Sequence, residues 1–533
     1  MTAVSYKTPG VYVEELDAFP PSIVGVETAV PAFIGYTETA SRKGRPVTKM
    51  PVKISSMVEY AEVFGGAFQA KYKLADGIKA SPAVPADPAN NVAAKPAVAE
   101  KFDIVIGGAK YLISPIDDKQ FYLFNSLRLF FANGGGTCYI VSVGTYADAT
   151  AGIDPAALKD GLDAVADLVG PTMLVVPDAT LLKAQADFNT LVGQMMSQCY
   201  KKQDRVAILD IYDGDKVASP DVLDTTIGNF RSAISGLPSQ ELRYGMAYFP
   251  FLKTSIVSAG DINYGNLDAS SITTIKTALN AEATALYPND GASANPKAKK
   301  IQDDYVAKVD PANYDPKLNR DLLANLPVVG NIYAAIAASQ GILPPCGALA
   351  GVYTQNDTMR GVWNAPANIG IATLIEPTFK ISDDMQQDLN VPINGIAINA
   401  IRDFVGRGSL VWGARTLDGN SNDWRYIQVR RALIYVEQSV KLALNKFVFA
   451  PNTAQTWVTV TAMIKTFLHG MWSQGGLMGA TANEAFSVQC GLGSTMTAQD
   501  ILEGRMNVTI TLQMVHPAEF IVLSFQQMMQ GGA

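Results

Sequence analysis

The sequence predicts an α/β fold, mixed α+β in its details, spread over more than one domain. Three observations carry this. From Asp160 to about Leu252 apolar runs and amphipathic stretches alternate as strand, helix, strand, which argues for a layer with a parallel component. From Gln428 onward two helical stripes precede two segments of period-two alternation. The chain also has 533 residues, enough for a sizeable core and for division into domains.

Taken in order, residues 1–30 read as an extended arm. Pro9, Pro20 and Pro21 punctuate it, and Gly10–Leu16 is a short strand with Val11 and Val13 on one face and Tyr12 and Glu14 on the other. Ala32–Ala40 is the first core strand. Lys79–Glu100, with Pro82, Pro85, Pro88 and Pro96 among alanines, supports neither ladder nor helix and reads as a surface loop or insertion. Phe124–Gly144 predicts an amphipathic helix, a turn at Gly134–Gly136 and a buried strand over Cys138–Val143. GLDAVADL is helical, MLVVPD a buried strand, and the stretch from Leu181 to Lys202 a long helix. VAILDIYD and RYGMAYFPFL are two further strands. Residues 253–325, polar and with Lys297, Lys299 and Lys300 clustered, read as an outward-facing insertion.

In the last third, Val429, Ala432, Leu433, Val436, Val440, Ala443, Leu444 and Phe447 recur at helical spacing and predict a helix over Gln428–Phe447. Trp457, Val460, Ile464, Phe467, Leu468 and Met471 predict a second, capped by Asn452 or Thr453. Phe486, Val488 and Cys490 alternate as a strand, and Val508, Ile510, Leu512 and Met514 do so again.

A formal net charge of −7 and the lack of any Lys/Arg-rich run argue against a nucleic-acid binder, because phosphate binding needs a positive footprint. The four cysteines (Cys138, Cys199, Cys346 and Cys490) are scattered without a CxxC pair, which suits free thiols in a reducing compartment. The N-terminus lacks a basic segment followed by an apolar one. The most apolar stretch, Ile332–Tyr353, is broken by Pro344-Pro345 short of the roughly 20 residues a spanning helix needs. A protein made in the cytoplasm, without membrane insertion, is the expectation.

Catalytic chemistry finds little to build on. His469 and His516 are the only histidines, and no HExxH, HxH or Cys/His cluster accompanies them, so neither a metal nor another cofactor is expected. The triple glycine has no GK[ST] after it, and Cys138 beyond it reads as a small buried residue rather than a nucleophile. Ser382, Asp383, Asp384 and Asp388 lack the spacing of a calcium loop and read as a solvated loop. Arg407, Arg415, Arg430 and Arg431, with Arg402 and Arg425, are the denser set; inter-subunit pairing and pairing within one fold stand equally open.

The two chain ends raise a different possibility. Phe520–Phe525 (FIVLSF) is apolar on both faces apart from Ser524, and a strand of that kind must be covered. Either it folds back on Met506–Val515 through the link HPAE, or it adds to the sheet of another chain.

Several segments together, in one order, resemble the sheath family of contractile phage tails, R-type bacteriocins and related injection systems. They are Thr8–Leu16, the NGG at Asn133–Gly135, Pro344–Asn368, Leu389–Leu417, Asn422–Val440, Phe447–Val460, Gly475–Cys490 and Ile501–Phe525. The resemblance implies a non-enzymatic structural subunit that polymerises into stacked six-fold rings around an inner tube and contracts. It implies that Val11, Tyr12, Val13 and Glu14, and Phe520, Ile521, Val522, Leu523 and Phe525, are strands given to neighbouring subunits. Phe486, Val488, Val508, Ile510 and Leu512 would lie on the accepting strands. Partners would be further copies of the chain, the tube protein, and baseplate and terminal cap proteins, within a phage or phage-tail-like particle. The tube contact falls on the helix Gln428–Phe447 or the loop Gly475–Glu484. The matching domain plan is an arm over 1–30, an outer α/β region over 31–345, a sheath core over 346–515 and a donor arm over 516–533. A non-contractile scaffold or baseplate-like subunit is the alternative.

Overall fold

The computed structural model describes residues 22–77, 103–106, 109–116, 119–149, 152–290 and 293–523. The expected arm strand at Val11–Glu14, the insertion 79–100 and Phe525 lie outside them. The chain divides into a larger unit, Thr28–Arg360 with Ala365–Arg430, and a smaller one that takes Gly361–Asn364 and the chain from Arg431, with residues 22–27.

In the larger unit the chain runs through β1 (Pro31–Thr37), β2 (Val52–Ile54), α1 (Met57–Phe64), β3 (Tyr72–Asp76), β4 (Ile104–Ile106), β5 (Ala109–Pro115) and α2 (Leu123–Ala132). It continues through β6 (Cys138–Thr145), α3 (Pro155–Ala164), β7 (Met173–Val175), α4 (Gln185–Lys202), β8 (Val206–Asp210), α5 (Pro220–Ile234) and β9 (Gly245–Phe249). The helices α6 (Ile272–Leu286), α7 (Pro296–Asp304), α8 (Pro316–Asn325), α9 (Pro327–Gln340) and α10 (Cys346–Arg360) follow. The unit closes with β10 (Ile369–Gly370), α11 (Asp383–Asn390), β11 (Asn399–Phe404) and β12 (Gly408–Trp412).

Nine of these strands form one sheet in the order β10-β12-β11-β9-β8-β7-β1-β6-β2. The six from β6 to β11 are parallel, and β2, β12 and β10 join antiparallel at the two ends. Every residue of β1, β7, β8 and β9 is buried, as expected for parallel strands covered on both faces. By order of appearance the parallel strands lie 2-1-3-4-5-6, so the winding direction changes between β1 and β7.

On this sheet α2 and α10 approach closely because α10 carries glycine at the contact. A Cβ on Gly347 would stand 2.5 Å from the Ser126 carbonyl oxygen, and one on Gly351 2.5 Å from that of Phe130. The expected boundary at Cys346 therefore does not separate the units. Residues 346–360 and 365–430 group with the larger one, since α10 packs on α2 and β11 and β12 extend its sheet.

The region of the expected insertion over residues 253–325 has a core of its own, which also draws on strands far earlier in the chain. Tyr72, Leu74, Ile104 and Ile106, which flank the proline-rich stretch, share one buried core with Ile275, Leu279, Ile301, Leu322 and Ile332. Two distant chain segments thus build one subdomain, with β3, β5 and β4 as its sheet and α6–α9 as its helices.

The smaller unit contains α12 (Ile427–Leu444) from Arg431 onward, α13 (Ala454–Ser473), β13 (Phe486–Gln489) and β14 (Thr509–Leu512). Its core joins Ala432, Val436 and Val440 of α12 to Val460, Ile464, Leu468 and Met471 of α13, with Ala485 and Val488 beneath. These are the two stripes that the helical spacing predicts. Thr453 is the residue at the α13 N-cap, yet its hydroxyl makes no capping bond; the Asn452 side chain instead accepts from Trp457 Nε1 at 2.6 Å.

Candidate functional site

The site with the clearest unsatisfied chemistry is the two-stranded sheet of the smaller unit. β13 and β14 run antiparallel with Phe486 opposite Leu512, Ser487 opposite Thr511, Val488 opposite Ile510 and Gln489 opposite Thr509. The Gln513 amide donates to the Ala485 carbonyl at 2.9 Å, so the hydrogen-bonded pairs are the alternate ones, Ser487 with Thr511 and Gln489 with Thr509. The N–H and C=O groups of Phe486 and Val488, and of Ile510 and Leu512, therefore point away from the partner strand. The sheet holds only these two strands among the described residues. Each outer edge is a row of backbone groups ready for another strand.

A groove of about 700 Å³ runs beside β13, walled by Lys465, Thr466 and His469 of α13 and by Ala482 and Asn483. The His469 ring stands 5.3 Å from that of Trp472 in an edge arrangement. Among the described residues no three His, Cys, Asp or Glu side chains gather where they could hold a metal ion.

Phe520, Ile521, Val522 and Leu523 are 71, 78, 87 and 73% exposed and belong to no strand. The fold-back hairpin on Met506–Val515 is thus not formed over these residues. Val508, Ile510 and Leu512 pack against the core of the unit only partly.

Three of the four candidate interface arginines are spent inside the chain. Arg415, Arg430 and Arg431 are only 3–4% exposed; Arg415 lies over the Tyr426 ring, and Arg430 over the rings of Tyr244 and Trp424 at 4.9 Å each. The guanidinium groups of Arg415 and Arg430 thus pack on aromatic rings of this fold. Arg407, at the β11–β12 turn, is exposed over the Phe404 and Trp412 rings and bonds Asn368. The acidic cluster near Asp383 is also not a loop: Ser382 caps α11, Asp388 pairs with Arg231 and Asp383 with Arg402.

The hairpin of α12 and α13 has a further property that residue spacing does not reveal. From Gln438 to Asn483 the chain has no Asp or Glu, and Lys441, Lys446, Lys465 and His469 are its only ionisable side chains other than tyrosine and cysteine types, which are absent there. Its turn presents Val448, 58% exposed, and Phe449, fully exposed at a φ of 68°, a left-handed conformation that a bulky residue seldom adopts.

Two buried carboxylates of the larger unit escape a motif search. Asp178, just after β7, is fully buried and accepts from the amides of Tyr36 at 2.9 Å, Tyr122 at 2.7 Å and Leu123 at 3.2 Å. Asp210 ends β8 and accepts from the Cys346 amide at 2.9 Å. Burial pushes the Asp178 carboxyl up to about 6 and that of Asp210 up to about 7, against the pull of their donors. Their signal in the sequence is an acid closing each apolar run, MLVVPD and VAILD.

Residues 420–528 match the model of the phage tail sheath C-terminal domain. No curated protein matches the chain. The sheath complex of the extracellular contractile injection system PVC, solved in its contracted state, is 26% identical, with 99% of both chains covered and a TM-score of 0.57. A chain from the baseplate of the anti-feeding prophage is 25% identical over 98% of this chain and all of that one, with a TM-score of 0.54. The contracted helical sheath of the same prophage is 24% identical with a TM-score of 0.55, over 98% of this chain and all of that one, and bears on the fold alone.

Proposed function

We propose that this chain, which matches the phage tail sheath C-terminal domain over residues 420–528 and is similar along its length to a PVC sheath subunit, is a structural subunit of a contractile tail sheath whose copies join by exchanging strands, stack as six-fold rings around an inner tube, and contract to drive that tube forward. The observation that carries the joining step is the pair of open edges on β13 and β14 beside the uncovered run Phe520–Leu523. An apolar strand with no sheet of its own and a sheet with unfilled edges satisfy each other when they come from different copies. Such a contact is head-to-tail, so it propagates as a ring or helix instead of closing on a pair.

The arm at Val11–Glu14 is assigned the matching role at the other chain end, and Arg407 is retained as the interface arginine. The α12–α13 hairpin, with its acid-free stretch and apolar turn, is assigned to the tube, where it would meet an acidic surface. A baseplate contact is supported by the likeness to a baseplate chain. The reading involves no catalysis: work would come from repacking of subunits between two lattices.

Negative-stain microscopy of the purified chain tests this, with a chain ending at Val515 beside it. Ridged hollow cylinders with six-fold end views are expected from the full chain and only small particles from the truncation. Equal polymerisation of both would overturn the assignment of Phe520–Phe525.

A further inference from the structure

The end of the nine-stranded sheet at β2 carries a concentration of positive charge that strand exchange does not use. From Thr39 to Val58 the chain has five cations, Arg42, Lys43, Arg45, Lys49 and Lys53, and no Asp or Glu. The formal net charge of −7 includes these five, so the rest of the chain stands at −12. Two of the five are engaged within the fold: Lys49 pairs with Asp160 at 2.7 Å, and Lys53 lies over the Tyr139 ring. The side chains of Arg42, Lys43 and Arg45 have no hydrogen bond or ion pair among the described residues, although α1 beside them carries Glu59 and Glu62. Glu59 is instead held by the Ser55 amide and hydroxyl.

These three form the tip of a hairpin, Ser41–Pro46, that is built against local preference. Arg42 stands directly opposite Arg45, and like charges so placed repel. The two loop residues, Lys43 and Gly44, have φ of 51° and 78°. A loop of that kind favours Asn-Gly, because a lysine at positive φ brings its Cβ too close to the backbone. Every residue from Ser41 to Pro46 is exposed, and a Cβ on Gly44 would meet nothing within 4 Å. The tip thus projects free of the fold while costing it stability in two places. Departures of this kind are expected where residues serve a contact rather than the fold.

We propose that the hairpin tip Arg42–Arg45 is a docking point for an acidic face of a second copy of this chain. The proposal rests on the reading of the chain as a subunit whose copies join head-to-tail. Copies that each carry −7 repel one another, and a projecting basic tip gives that repulsion one directional exception. An acid set over the tip offsets the repulsion between Arg42 and Arg45, which no ion pair within the described residues does. The contact runs from tip to face, so it extends a ring or helix and does not close on a pair. Because the tip is exposed and charged, it acts at encounter: it raises the rate at which copies meet in the right orientation, and salt weakens it.

Light scattering of the full chain as it polymerises, followed from about 0.05 to about 0.5 M salt, tests this beside the double variant Arg42→Glu, Arg45→Glu. Wild-type polymerisation should slow by about tenfold or more across that range. The double variant should be slower than the wild type by about tenfold in low salt and should not slow further as salt is added. Lys43→Asn separates the contact from folding: asparagine suits the left-handed turn, so this variant should melt no lower than the wild type and yet assemble more slowly. A double variant with the rate and salt slope of the wild type would overturn the tip contact and leave the sheath reading standing. A wild-type chain that forms no particles in any salt would remove the sheath reading, and the contact with it. Unchanged assembly together with lost retention on heparin would assign the tip to an anionic polymer, which also overturns the contact between copies.

Discussion

Val488 stands directly opposite Ile510 across β13 and β14, and the backbone amides of this pair point away from each other. The direction of an amide therefore separates the stability of the sheet from its capacity to accept a strand. Ile510→Pro removes an outward donor and should abolish polymerisation while leaving the helical circular dichroism intact. Thr511→Pro removes an inward ladder bond and should lower the melting temperature of the chain itself. Normal cylinders from Ile510→Pro would show that the outer edge of β14 accepts nothing.

Ile521 and Val522 are largely exposed within a single chain. A charge there costs the isolated subunit little, within about 0.5 kcal/mol for a surface change of this kind. Ile521→Asp and Val522→Asp should therefore melt like the wild type and fail to assemble, as read by sedimentation. A substantial loss of stability in the unassembled chain would mean that the segment is already packed there.

Cys490 follows β13 directly and is partly exposed, whereas Cys138, Cys199 and Cys346 are buried. Burial raises all four thiols, least deeply at Cys490. Alkylation of the unassembled chain at pH 8 should modify Cys490 first and the other three only on unfolding. In assembled particles that reaction should slow markedly if a donated strand covers the β13 edge; an unchanged rate would direct attention to β14.

Glycine-to-alanine changes should have opposite signs in two helices. Gly228 lies inside α5 with open space around it, so Gly228→Ala should stabilise by about 0.5–1 kcal/mol through helix propensity. Gly351 lies inside α10 against the Phe130 carbonyl oxygen, and Gly351→Ala should destabilise by about 1–3 kcal/mol through overpacking. Chemical denaturation of the two variants checks both signs.

Much of the architecture was legible because it follows from local periodicity. The buried runs at β1, β7, β8 and β9 and the stripes of α12 and α13 each announce their own element. What periodicity does not encode is which distant segment completes a core. Nothing about Tyr72 or Ile104 in the sequence points to Ile275 or Ile332, and nothing about Cys346 says that its amide binds Asp210. The arginines show the same limit: Arg407 and Arg430 look alike as residues, yet one lies at an exposed turn and the other between two rings. For the candidate site, the alternation of Phe486–Val488 and Val508–Leu512 identified the strands, while the outward direction of their amides required the register.

The subdomain formed by β3–β5 and α6–α9 has a practical corollary for anyone wishing to alter the particle. Its core is a two-part lock, half contributed before α2 and half after β9. Removing either half would strip the other of its apolar cover and leave a sticky remnant. Swapping this module between related chains, or replacing it with a cargo or a targeting domain, therefore calls for two simultaneous cuts in the gene, with both halves exchanged as a matched set.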